Sequence, residues 1–226
     1  MSAGRPTILS FDLDGTLVDT AAEIAEAANL ALQDLGLAPR SLPAIEKLIG
    51  AGTRELMLRL LRSAPDAGAS PDGDAALARF HFHYGAVAGS SCKAYEGCIE
   101  ALERLRAGGV RLACLTNKDE RYSRSVLEAV GIGALFDLLV GGDTLVVRKP
   151  DARVVEHLIT AMRGSAATTA HVGDSATDVQ TARNGGIAAW AVPYGYNGGE
   201  PIESARPDRI FASLGEVADF ALGEGS

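Results

Sequence analysis

The sequence predicts an α/β protein, a doubly wound parallel sheet interrupted soon after its first strand by an all-helical segment. Three observations carry that expectation. From Tyr95 to the C-terminus, apolar runs of strand length alternate with helical segments. The chain opens on another such run, Ile8-Leu9-Ser10-Phe11. Between Leu17 and Ser91 only helical periodicity is found.

In order, Thr20-Ala21-Ala22-Glu23 reads as a capping box opening a helix. Its apolar positions Ile24, Ala28, Ala31, Leu32 and Leu35 follow helical spacing, and Gly36 closes it. Helices at about Pro43–Ile49, Arg54–Leu61 and Asp74–Val87 complete the inserted block, separated by Gly50-Ala51-Gly52 and by residues 64–73. The second half reads as helix Cys98–Ala107, strand Val110–Leu115, helix Arg121–Val130 and strand Phe136–Val140. Helix Asp151–Met162, strand Thr169–Val172, helix Thr177–Asn184, strand Ile187–Val192, strand Arg209–Phe211 and a closing helix follow. This alternation describes a Rossmann-like sheet, in which ligands bind beyond the carboxyl ends of the strands. The expected division is a core of residues 1–16 and 93–226 and an insertion of residues 17–92.

Composition narrows the function classes. The chain has 226 residues, of which 47% are hydrophobic and 22% charged, as in an ordinary globular protein. Its net charge of −8 and pI of about 5.0 argue against nucleic acid or an anionic membrane as partner. An anionic substrate therefore needs a local cation to hold it. No apolar stretch is long enough to span a bilayer, and the N-terminus carries no apolar signal segment. Cys92, Cys98 and Cys114 have no metal-ligand spacing; an odd count fits reduced thiols in the cytoplasm. A monomer or a homodimer is expected.

The chemistry begins at Asp12-Leu13-Asp14-Gly15-Thr16, directly after the first strand. Two carboxylates placed together at a strand end imply a divalent metal, a shared proton, or both. Other strand ends deliver Thr116 and Asn117, then Asp174 and Asp178, and Lys149 precedes Pro150 at a helix start. Carboxylates for Mg²⁺ combined with hydroxyl, amide and ammonium donors for an anion suit phosphoryl transfer. Taken singly, each has a plainer reading. Thr116 and Asn117 can terminate a strand, Lys149 can be a solvated lysine, and Asp174 can cap a helix with Asp178 favoured by its dipole.

Four segments in order resemble the motifs of the haloacid dehalogenase superfamily phosphatases. They are Asp12-Leu13-Asp14-Gly15-Thr16, Leu115-Thr116-Asn117, Lys149-Pro150 and Gly173-Asp174-Ser175-Ala176-Thr177-Asp178. The helical insertion stands where one subgroup places its mobile cap. The resemblance implies that Asp12 is the nucleophile forming an aspartyl-phosphate and that Asp14 is the general acid and base. It implies Mg²⁺ held by the Asp12 side chain, the Asp14 carbonyl and Asp174, with Asp178 ordering the site. Thr116, the Asn117 amide and Lys149 would hold the phosphate. Dehalogenases need no proton donor two residues after the nucleophile, so Asp14 speaks against that reaction.

Leu17-Val18-Asp19-Thr20, Ala28-Asn29-Leu30-Ala31-Leu32, Asp178-Val179-Gln180-Thr181-Ala182-Arg183 and Tyr194–Ile202 are similar to the phosphoglycolate phosphatases of that superfamily. That resemblance implies 2-phosphoglycolate as substrate. A phosphatase or mutase for another phosphorylated metabolite or for pyrophosphate remains open, as does a receiver-like phospho-accepting module. Selection of a small phosphorylated acid should fall to the cap, where Gly50-Ala51-Gly52-Thr53-Arg54 joins a helix start to an arginine. Thr53 and Arg54 are the candidate specificity residues there.

Overall fold

The computed structural model describes residues 5–63 and 72–224. The leading residues read for a signal segment (1–4) and most of the separator expected at 64–73 lie outside that range. Strand β1 (Ile8–Phe11) leads into a two-residue strand β2 (Val18–Asp19). Four helices follow: α1 (Ala21–Asp34), α2 (Leu42–Glu46), α3 (Thr53–Arg62) and α4 (Gly73–Val87). The chain returns through β3 (Lys93–Ala94) and alternates thereafter. Helix α5 (Cys98–Ala107), β4 (Arg111–Leu115), α6 (Glu120–Ala129) and β5 (Leu138–Val140) form one series. Helix α7 (Ala152–Ala161), β6 (Thr169–Gly173), α8 (Ala176–Asn184), β7 (Ala188–Ala191), β8 (Arg209–Ile210) and α9 (Leu214–Leu222) form the other.

The six strands pair in the order β5-β4-β1-β6-β7-β8, all parallel. Strand β1 is central: Phe11 pairs with Cys114 of β4 on one side and Val172 of β6 on the other. From β1 the chain builds outwards first one way and then the other, which leaves a crevice at the carboxyl ends of β1, β4 and β6. Both faces are buried because strand side chains alternate. Leu9, Phe11, Leu112 and Cys114 pack on α5 and α9, whereas Ile8, Ala113 and Leu115 pack on α7 and α8.

Helices α1–α4 enclose a core of their own, with Ile24, Leu32, Leu56, Leu60, Phe80 and Tyr84 at its centre. Ala27, Ala28 and Ala31 are fully buried on α1, so that helix can approach α4 closely. Two details differ from the sequence reading. A strand does form between Leu17 and Ser91, because Val18 and Asp19 find antiparallel partners in Ala94 and Lys93 as the chain leaves and re-enters the sheet region. The expected capping box of α1 does not form: Thr20 is the N-cap but its side chain makes no capping bond. Instead the Tyr196 hydroxyl accepts from the Thr20 and Ala21 amides at 3.0 and 3.2 Å. Both box side chains are thereby free for other partners.

Candidate active site

The loop after β1 folds tightly, with the amides of Thr16, Leu17 and Val18 all donating to the Leu13 carbonyl. Gly15 adopts φ +86°, and a Cβ there would lie 2.4 Å from Asp174 Oδ2. Gly195 approaches from the other side, where a Cβ would be 2.2 Å from the same oxygen. Asp174 therefore sits in a slot that only glycines leave open. The Thr16 hydroxyl donates to its Oδ1 at 2.8 Å, and the Tyr196 amide donates to its Oδ2. Helix α8 is capped by Ser175, in a reciprocal box with Asp178, so Asp174 is not consumed as a cap.

Lys149 ties the cluster together. Its buried ammonium lies 2.6 Å from Asp178 Oδ1 and 2.9 Å from Asp12 Oδ1. The first contact is a hydrogen bond; the second is an ion pair without directed geometry, and Asp12 Oδ1 has no hydrogen-bond partner. Asp178 also accepts from the Ser175 hydroxyl at 2.6 Å and lies 3.1 Å from His171 Nε2. His171 Nδ1 in turn lies 2.8 Å from the Ser10 hydroxyl beneath the sheet's end. Burial would raise the Asp178 carboxyl, but Lys149 and His171 hold it far below the usual carboxylate range. Burial would lower the Lys149 ammonium, and Asp12 and Asp178 overcome it and raise it. Asp12 moves up because burial outweighs the attraction of Lys149. Asp174 moves well up, through burial and the nearby charges of Asp178 and Asp12.

One ammonium thus serves two carboxylates, and a third buried carboxylate has no cation. Oxygen atoms of Asp12, Asp174 and Asp178 lie within 4.8 Å of one another. Three clustered carboxylates that share one ammonium, with Asp174 pushed away from ionisation, are a donor set that fits a hard divalent cation.

Above this floor, Asp12 and Asp14 open into a narrow cleft between the sheet end and the helical unit. Thr116, Asn117 and Lys118 line its core side; Ile24, Leu56 and Phe80 supply much of the opposite wall. Asn117 Nδ2 donates to the carbonyls of Gly50 and Lys149, at 3.0 and 3.2 Å. Asp14 is held by two residues the sequence reading did not assign. Thr20 donates its hydroxyl to Asp14 Oδ1 at 2.7 Å, and Lys118 Nζ lies 2.8 and 3.1 Å from the two oxygens. The Lys118 ammonium also stands 4.8 Å over the Tyr84 ring. Tyr84 donates to the buried Glu23 at 2.7 Å, and Glu23 accepts from the Gly89 amide as well. Lys118 was visible as the residue after Thr116-Asn117 at a strand end; the local sequence marked Thr20 and Glu23 only as a capping box and not as partners of Asp14 and Tyr84.

Thr53 lines the cavity at the start of α3, whereas Arg54 does not. Arg54 instead makes an exposed ion pair with Asp74 of α4. The three cysteines are free, and burial pushes the Cys98 thiol up to about 12.

The family profile of the haloacid dehalogenase-like hydrolases matches residues 9–192, which include every residue of this cluster. The chain belongs to that family. Two phosphoglycolate phosphatases illustrate the likeness. That of Thiobacillus denitrificans is 38% identical over 208 residues, covering 92% of each chain. That of Nitrosospira multiformis is 39% identical over 209 residues, covering 91% of each. A crystal structure from Haemophilus somnus, described as a predicted phosphoglycolate phosphatase, superposes with a TM-score of 0.90 at 30% identity. It covers 96% of this chain and 98% of its own. In this family member, a buried acidic floor meets a small cavity roofed by helices. No helix among the described residues is long and apolar enough to cross a membrane.

Proposed function

We propose that this protein is an Mg²⁺-dependent phosphomonoesterase that hydrolyses 2-phosphoglycolate to glycolate and phosphate through an aspartyl-phosphate on Asp12. The observation that carries the reading is the buried Asp12–Lys149–Asp178 ion cluster beside Asp174, at the floor of a cleft lined by Asp14, Thr116, Asn117 and Lys118. The phosphoglycolate phosphatases named above, alike over nearly the whole chain, support the substrate.

In this reading Asp12, the Asp14 carbonyl and Asp174 hold Mg²⁺, and Asp178 orders them from behind. An ion held there would supply positive charge to the phosphoryl oxygens. Thr116, the Asn117 amide and Lys149 hold the remaining oxygens. The Asp12 carboxylate attacks phosphorus, the P–O bond to the glycolate oxygen breaks, and protonated Asp14 delivers its proton to that oxygen. Asp14, now ionised, takes a proton from water as its oxygen attacks the phosphoaspartate; phosphate leaves and Asp12 is restored. Lys149, 2.9 Å from Asp12 Oδ1, favours the ionised carboxylate and opposes the rise that burial causes. Residues 1–16 and 93–226 act as the catalytic core and residues 17–92 as the cap. Three free cysteines favour the reducing cytoplasm as its compartment.

Phosphate release from a panel of esters, with and without Mg²⁺, tests this reading. The expected result is metal-dependent turnover highest with 2-phosphoglycolate and absent from Asp12→Asn, whose fold is intact by circular dichroism. Normal turnover by that variant would remove the mechanism. A preference for another ester would remove only the substrate.

A further inference from the structure

Among the described residues that line the cavity, Lys118 is the only cation. Lys149 lies beneath Asp12, engaged by two carboxylates, and Arg54 is fastened to Asp74 outside. The chain as a whole is acidic, so no general field draws an anion in. A phosphate held by Thr116, Asn117 and Lys149 would leave the other end of a short substrate facing the wall built by Ile24, Leu56 and Phe80. That wall offers no counter-charge, and an unpaired carboxylate there would be strongly disfavoured. Lys118 is placed to answer it. Its side chain is buried, its ammonium has three N–H donors, and among the described residues its only bonded partner is the single carboxylate of Asp14. The Tyr84 ring beneath that ammonium keeps it at the boundary between core and helices.

We propose that Lys118 recognises the carboxylate of the substrate, turning from Asp14 towards it when the cavity fills, and is the residue that separates phosphorylated acids from uncharged phosphate esters. The proposal rests on the phosphoglycolate reading. It assigns to the core strand end a selectivity that the sequence placed on Thr53 and Arg54.

The test is a cycle of two substrates against two enzymes, read as kcat/KM. The substrates are 2-phosphoglycolate and its carboxyl methyl ester, which keeps the phosphate and removes the second charge. The enzymes are the wild type and Lys118→Met. Loss of Lys118 also frees Asp14 from its partner and slows both substrates, so the ratio between them is the readout. The wild type should prefer the free acid by roughly 10- to 100-fold, the range of a charged hydrogen bond, and Lys118→Met by less than about threefold. Equal use of the two substrates by the wild type, or an unchanged preference in the variant, would overturn the proposal. Should Lys118→Met fail to fold by circular dichroism, Lys118→Gln takes its place, and the wild-type ratio stands as a test by itself. Turnover of other esters but of neither phosphoglycolate compound would overturn the substrate reading and this proposal with it.

Discussion

Asp174 shows how a single side chain can be fixed by residues that have none. Gly15 and Gly195 flank its Oδ2 so closely that a methyl group on either would occupy the oxygen's place. Gly195→Ala should therefore raise the Mg²⁺ concentration needed for half-maximal phosphate release by roughly 10- to 100-fold, the usual cost of disturbing a ligand's support. An unchanged Mg²⁺ titration would contradict the slot. Glu23 gives a pH signature. Burial raises its carboxyl above the ordinary 4.5, despite bonds from Tyr84 and Gly89. The folded state then binds the proton more tightly than the unfolded chain does. The stability Glu23 contributes is complete below pH 4.5 and is lost as pH rises through the higher folded value. Melting temperatures across that window should show the wild type losing ground to Glu23→Gln as pH rises; the opposite slope would refute this. At this scale Asp12, Asp14, Lys149, Asp174 and Asp178 could be read from the sequence because each adjoins a strand or helix end. Lys118 and Glu23 could not be assigned: Lys118 meets Asp14 across 104 positions and Glu23 meets Tyr84 across 61.

The helices show where local signals lose to tertiary ones. Thr20 and Glu23 have the spacing of a capping box, yet Thr20 turns to Asp14 and Glu23 to Tyr84. Tyr196 then satisfies the amides at the start of α1. In α8 the same kind of box does form, the Ser175 and Asp178 side chains each accepting from the other's backbone amide. Apolar spacing placed α1, α3 and α4 to within a residue or two, whereas β2 and β3 escaped notice because two residues carry no period. Across the apolar α1–α4 contact, the Tyr84 hydroxyl donates to Glu23. Tyr84→Phe leaves a buried Glu23 oxygen without its donor and should lower stability by about 1–3 kcal/mol in denaturant titration. A variant as stable as the wild type would show that the bond is replaced by water.

At the scale of the whole molecule, a net charge of −8 surrounds a site that takes an anion. Added salt screens the long-range repulsion between them. With Mg²⁺ held saturating, KM for 2-phosphoglycolate should fall as ionic strength rises from low values, before short-range pairing is screened in turn. A KM that only rises with salt would mean that local cations outweigh the global field throughout. The alternation of helices and strands announced the sheet, because each parallel crossover requires a helix. The pairing of the inserted helices over the strand ends was not legible, since the contacts that set it, such as Tyr196 to Thr20, join distant segments.

The Asn117 side chain has one further consequence. Its amide bonds at once to Gly50 in the helical roof and to Lys149 in the floor, so roof and floor share one fastening. In the proposed reaction, any movement of the roof away from the strand ends would break the first of these bonds while leaving the second in place. Asn117→Ala would then loosen the roof without touching its apolar core.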